Sequence, residues 1–452
     1  MDARRPPPAP PSSRTERPHI VVVGGGFAGL AVVRGLARAP VRITLVDRSN
    51  HHLFQPLLYQ VATGSLSPAN VAAPLRGLLR RQRNVRVLLA EVDGIDPDAR
   101  IIRTEDADIA YDMLVLATGA RHDYFGQQWA DLAPGLKTIA DATEIRRRIL
   151  TAFERAEVIG DELQARDWLT FAVVGGGPTG VELAGALAEI ARSTLRDEFR
   201  SIRPASARIL LLEGGDRILP AYPESLTRKA LEALRRLGVS VHLNTRVVDV
   251  GEDSVTVRQG EARVTIPART VLWAAGVRAS RLGRALAASN GCKVDRAGRL
   301  LVTPDLTLPG YPEVSVIGDL AHVRTPDGAQ LPGLASVALQ QGQYAARAIS
   351  GRLGGERPEP FRYRDRGTMA VVGRGFAVAD LRSLQLSGFP GWVVWALFHL
   401  AQIVEFENRI LVLVQWLWSY WTWKRAARLI IGRPRTPVPA PADSQPPPPD
   451  VR

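Results

Sequence analysis

One cysteine in 452 residues, Cys292, excludes an intramolecular disulfide, whether structural or redox-active. Any two-electron chemistry must then run through a bound cofactor. Long apolar runs are also scarce. Two charge-poor stretches near the C-terminus, 391–404 and 410–423, each fall short of the roughly 20 residues that a membrane span needs. Acidic residues number 45 against 58 Lys and Arg, leaving a net charge of +13. That excess admits two anionic partners, nucleic acid or a membrane surface. No basic run interleaved with aromatics stands out as a nucleic-acid face, because the arginines are scattered through segments such as 76–86 and 146–155. Nucleic acid is therefore set aside, and no metal site is expected. Segment 1–18 lacks the apolar core of a signal peptide, and the Pro/Ala-rich stretch Pro434 to Pro449 joins it as an expected disordered tail. The remaining length implies two or three domains.

What is present is a duplicated signature. Val21-Val22-Val23-Gly24-Gly25-Gly26-Phe27-Ala28-Gly29 and Ala172-Val173-Val174-Gly175-Gly176-Gly177-Pro178-Thr179-Gly180 each follow an apolar run and open an Ala/Leu/Val-rich segment. The pattern predicts strand, tight turn and helix. The first glycine makes the turn, the second lets backbone approach a pyrophosphate, and the third lets helix and strand pack closely. Two such loops imply an enzyme that holds two dinucleotides and passes electrons between them.

In the first half, the expected strand 41–46 ends at Asp47, 23 residues after Gly24, where an acid accepts the ribose hydroxyls of an adenine nucleotide. Tyr111 to Ala120 reads as a buried strand ending at Thr118-Gly119. Val314 to Asp319 reads as another, ending in Gly318-Asp319 before a helix expected from Leu334 to Ile349. An Asp there can bind a polyol, and the helix can aim its positive end at a flavin ring.

In the second half, a helix is expected from Thr179 towards Phe199. The following strand, 207–212, ends in Glu213, 38 residues after Gly175, so the connection is extended. An acid at that position favours NADH over NADPH. Thr270 to Gly276 repeats the small-residue strand end. Glu182 is the one charged side chain on the first helical turns, placed to orient a carboxamide or merely to complement the helix terminus.

Together with Asn50-His51-His52-Leu53-Phe54-Gln55-Pro56-Leu57-Leu58-Tyr59-Gln60-Val61-Ala62-Thr63-Gly64, Gly180 to Gly185, Glu213 to Pro220 and Ala338-Leu339-Gln340-Gln341-Gly342, the chain resembles the type II NADH:quinone oxidoreductases over about residues 19 to 430. The resemblance implies an α/β fold of two Rossmann-like domains, in a glutathione-reductase-like topology with the NADH domain inserted in the FAD domain. It implies FAD on Gly24, Gly26, Phe27, Ala28, Gly29, Asp47, Arg48, Thr118, Gly119, Gly318 and Asp319. It places NADH on Gly175, Gly177, Gly180, Glu182, Glu213 and Gly276. Glu182, Gln340 and Gln341 become the catalytic candidates, with the glutamine pair beside the flavin where a quinone head group arrives. The implied boundaries are 19–165 and 286–360 for FAD, 166–285 for NADH, and 361–430 for a C-terminal region.

Six of nine tryptophans, Trp392, Trp395, Trp416, Trp418, Trp421 and Trp423, crowd that last region. With Lys424, Arg425 and Arg428 they fit amphipathic helices lying in a membrane interface on the cytoplasmic face. A buried helical pair or a homodimer interface is the competing reading. His399 is weighed as a proton relay against a packed histidine. A soluble flavoprotein reductase and a flavin-bearing interaction protein stay open as alternatives.

Overall fold

The computed structural model describes residues 17–325, 328–422 and 427–431, so the expected tails lie outside the described residues apart from 17, 18 and 431. The chain enters through β1 (His19–Val23), α1 (Phe27–Gly35), β2 (Arg42–Asp47), β3 (Val85–Leu89) and β4 (Met113–Leu116). A short strand, β5 (Ala120–His122), carries it out of the first unit, and α2 (Ile139–Ile159) leads to the second. There it forms β6 (Thr170–Val174), α3 (Pro178–Glu189), β7 (Arg208–Leu212), β8 (Val239–His242) and β9 (Thr270–Trp273). It returns on β10 (Val277–Ala279), antiparallel to β5, and rejoins the first sheet as β11 (Tyr311–Val316), followed by α4 (Ala335–Leu353).

The first sheet runs in the order β11-β4-β1-β2-β3 with all these strands parallel, and the short antiparallel strand Thr307–Leu308 edges β11. The second runs β8-β7-β6-β9, also parallel. These strands read as apolar runs rather than alternations because helices or loops cover both faces. β1, for example, is Ile20 to Val23 buried without interruption. In each unit the glycine loop leaves the carboxyl end of the central strand, where an open α/β sheet binds ligands. α1 and α4 lie in close contact, since a Cβ on Gly342 would overlap the carbonyl of Ala28.

The helix expected to reach Phe199 stops at Glu189 and closes in a π-turn, Ile190–Thr194, with Leu195 N–H donating to Ile190 O at 2.9 Å. Ser193 and Thr194 are poor helix formers at its end. The segment beyond is held by Glu157, whose carboxylate accepts from the N–H groups of Arg200, Ser201 and Ile202. The π-turn and this loop account for the long spacing to Glu213.

The last region is a three-stranded antiparallel sheet, β12 (Thr368–Gly373), β13 (Phe376–Asp380) and β14 (Gln385–Gly388), followed by helices α5 (Phe389–Gln402) and α6 (Phe406–Thr422). Trp395, Ile403 and Val412 enter the core shared with the second unit and α2. Among the described residues, no helix is long and apolar enough to cross a membrane.

Candidate functional site

The two loops are built alike. Gly24 and Gly175 hold φ of +106° and +107°, which L side chains rarely adopt, and a Cβ on Gly29 or Gly180 would overlap the carbonyl oxygen of Gly24 or Gly175. The middle position is tied to the acid at the end of the next strand. Gly25 N–H donates to Asp47 Oδ2 at 2.5 Å, and Gly176 N–H donates to Glu213 Oε2 at 2.5 Å. A second donor fills the other carboxylate oxygen, Ser49 N–H at 2.6 Å on Asp47 and Gly215 N–H at 2.6 Å on Glu213.

Gly26 and Gly177 behave differently from their neighbours. A Cβ at either would meet nothing within 4 Å, so the protein itself does not require glycine there. Both serve as N-caps without a side-chain cap, leaving the N–H groups of Phe27, Ala28 and Gly29 in α1, and of Thr179 and Gly180 in α3 after Pro178, without a capping side chain. An open cradle over an uncapped helix start is the donor set a pyrophosphate needs, and the fit holds in both halves. Phe27 is half-buried and Ala28 buried against α4. Arg48 is exposed and 3.9 Å from Glu91, facing outward from the loop.

The other predicted FAD residues gather around the same cleft. Thr118 and Gly119 follow β4, and Gly318 and Asp319 follow β11, its neighbour. No donor among the described residues reaches the Asp319 carboxylate, which is half-buried beside Gly333 and fits a polyol hydroxyl. The N-terminus of α4 carries neither a side-chain cap nor an acid in its first turn. Gly276, past the end of β9, packs against the Phe125 ring at the crossing between units. There Thr118 Oγ1 lies 2.6 Å from Ser280 Oγ, a latch between residues 162 positions apart that no short-range motif announces.

Glu182 sits on α3 where that helix meets β12, so close that a Cβ on Gly185 would overlap the Val372 carbonyl. Burial pushes its carboxyl up to about 8, only partly opposed by the Val371 backbone. Near pH 7 the group is mostly protonated and offers an O–H. Tyr222 lies near enough for the Glu182 charge to raise its hydroxyl pKa further, after burial.

The two glutamines have different partners within the chain. Gln341 is 1% exposed, and its Oε1 accepts from Gly318 N–H at 2.6 Å. Gln340 instead exchanges two bonds with the Arg364 backbone, donating to its carbonyl at 2.8 Å and accepting from its N–H at 2.9 Å. Adjacent helical positions point about 100° apart, which sends the two side chains to these separate partners.

On α6 the buried positions Asn408 and Val412 and the half-buried Trp416 recur every fourth residue, while Ile410, Val414, Leu417 and Trp421 lie outside. Trp418 is 64% and Trp421 79% exposed. Trp416 Nε1 donates to Gln60 Oε1 at 2.7 Å, fastening the helix to the first unit. His399 donates its Nδ1–H to the Trp395 carbonyl, 2.7 Å away, and burial lowers its pKa to about 4. It is a packed neutral imidazole at neutral pH, not a cationic relay. Lys424 and Arg425 lie outside the described residues. Arg428 turns inward to pair with Glu198 rather than outward to head groups.

The pyridine nucleotide-disulphide oxidoreductase family matches residues 18–342. The chain is 43% identical over 429 residues to the type II NADH:quinone oxidoreductase Ndh of Mycobacterium tuberculosis, covering 93% of this chain and 92% of that one. It is 31% identical over 364 residues to the type II NADH:quinone oxidoreductase of Staphylococcus aureus, covering 79% and 88%. A structure of NDH2 from Plasmodium falciparum in complex with NADH superposes with a TM-score of 0.85 over 92% of this chain and 100% of that one, at 20% identity, and so shares the fold. With two open dinucleotide cradles on one duplicated frame, the chain belongs to the type II NADH:quinone oxidoreductases, and its cofactors are FAD and NADH.

Proposed function

We propose that the chain oxidises NADH and delivers the electron pair through FAD to a quinone dissolved in a membrane, without moving protons across it. Bound FAD supplies the hydride acceptor and the two-electron donor. The protein's part is placement. Glu213, anchored by Gly176 and Gly215, presents a carboxylate at the ribose position and disfavours a 2′-phosphate. Protonated Glu182 offers its O–H to the carboxamide of the nicotinamide. Gln341 fixes the Gly318-Asp319 turn, and Gln340 holds the 361–366 segment over α4. Thr118 and Ser280 hold the two units in register where they cross.

The observation that carries this reading is a line of rings from the C-terminal hairpin to the first glycine loop. Trp416 lies 5.3 Å from Trp395, Trp395 4.7 Å from His399, His399 6.3 Å from Phe54, and Phe54 5.9 Å from Phe27. Phe27 directly follows Gly26. Trp395, His399 and Phe54 are buried, so the rings form a packed connection rather than an open path, and they seat the hairpin that would meet the bilayer directly against the FAD loop. The outward apolar face of α6 supports monotopic docking, and the need for NADH puts the body on the cytoplasmic face.

Anaerobic stopped-flow mixing tests the reaction. Rapid bleaching of the flavin band by NADH, much slower bleaching by NADPH, and reoxidation by quinone are expected. Rapid bleaching without reoxidation by any quinone would move the assignment to a reductase with another acceptor.

A further inference from the structure

The two glycine loops differ in one bond. In each, the N–H of the middle glycine is held by the acid of the next strand. In the NADH loop the carbonyl of that same residue, Gly176 O, accepts from the backbone N–H of Leu219 at 2.7 Å. In the FAD loop the corresponding carbonyl, Gly25 O, lies 3.0 Å from a side chain, Nδ1 of His52.

His52 is 2% exposed and lies on the short strand His51–Leu53, paired through Ala73 to Ala72–Pro74. Its ring packs edge-on against Phe27, the first residue of α1, at 5.1 Å and 89°. A carbonyl can only accept, so the proton sits on Nδ1. Burial lowers the pKa and keeps the ring neutral, which leaves Nε2 a lone pair. That nitrogen is buried and has no partner among the described residues. An apolar side chain would fill the same volume without burying a lone pair, so packing alone does not account for a histidine here.

We infer that His52 is a positioning residue for FAD, clamping the Gly25 carbonyl so that the loop is already shaped to receive a pyrophosphate. Asp47 and His52 then hold the two successive peptide units that flank Gly25, one by its N–H and the next by its carbonyl, as Glu213 and Leu219 hold those flanking Gly176. The role rests on the assignment of FAD to the first loop. Without the clamp the Gly25 carbonyl is left without its buried donor and the loop must be ordered at the moment of binding, which weakens FAD and leaves the second loop untouched.

The test is reconstitution of flavin-free protein with FAD, followed by fluorescence quenching, for the parent, His52→Phe and His52→Asn. NADH affinity is measured on the same preparations. His52→Phe keeps ring volume and is expected to weaken FAD about tenfold or more, with NADH binding within about twofold. His52→Asn, whose amide N–H stands near the Nδ1 position, is expected to recover most of that loss. FAD affinity unchanged in His52→Phe, equal losses in both variants, or parallel losses of FAD and NADH would each overturn the clamp. If His52→Phe does not fold, His52→Leu against His52→Asn reads the same contrast. A parent that takes up no FAD would strike instead at the assignment of the first loop.

Discussion

The nucleotide-binding body and the C-terminal hairpin use apolar residues in opposite ways. In the body they point inward: Ile20 to Val23 and Phe171 to Val174 are buried, and the loops at their ends have no room for an added methyl at Gly24, Gly29, Gly175 or Gly180. On α6 the apolar residues divide. Val412 packs inward, while Val414, Leu417, Trp418 and Trp421 stand outside. A soluble helix would place polar residues on that face. The body is shaped around ligands that come from water, whereas the outer face of the hairpin fits the proposed docking on a surface that excludes it.

Five changes break or sharpen this contrast. The largest effect is expected from Gly29→Ala, whose Cβ has no space against the Gly24 carbonyl. A loss of roughly 3 kcal/mol or more, with FAD lost from the purified protein, is expected in thermal unfolding and flavin absorbance. Gly180→Ala should do the same to NADH binding while the first unit keeps FAD. On the hairpin, Leu417→Glu with Trp421→Glu should leave unfolding in detergent nearly unchanged. Binding to anionic vesicles should fall about a hundredfold, as read by flotation.

His399 joins the two regions, and its sign can be worked out. Its folded pKa, about 4, lies below the ordinary 6.5. The unfolded chain therefore binds a proton first as pH falls, and stability declines between about pH 6.5 and 4. Up to about 3 kcal/mol is expected to disappear over that range, and His399→Phe should flatten the decline in a pH series of unfolding curves. The smallest effect is expected from Trp416→Phe. It removes the bond to Gln60 and should cost about 1 kcal/mol, with flavin reduction by NADH unaffected.

The loops and their acids were legible in the sequence because every part of each loop lies within one strand-turn-helix unit or at the end of the next strand. The apolar runs likewise placed seven of the parallel strands, while the end strands β3 and β8 went unread. What was not legible depends on contacts distant in the chain or on helical phase. Gln340 and Gln341 look like a pair in sequence, yet one helical step sends them to different partners. Thr118 meets Ser280, and His52 meets Gly25, only after the sheets assemble. Composition put Trp395 and Trp416 in one class with Trp418 and Trp421, but the fold buries the first and exposes the last two. The stop of α3 at Glu189 was hidden because Ser193 and Thr194 are only weak helix breakers.

The central claim is that the body performs the reduction while the hairpin's outer face brings in the quinone. It is tested most directly by following both half-reactions in vesicles for the parent and the Leu417→Glu, Trp421→Glu variant. Unchanged flavin reduction by NADH is predicted, with reoxidation by a long-chain membrane quinone lost and reoxidation by a short water-soluble quinone kept. Full reoxidation by the long-chain quinone in a variant that no longer floats with vesicles would contradict the account.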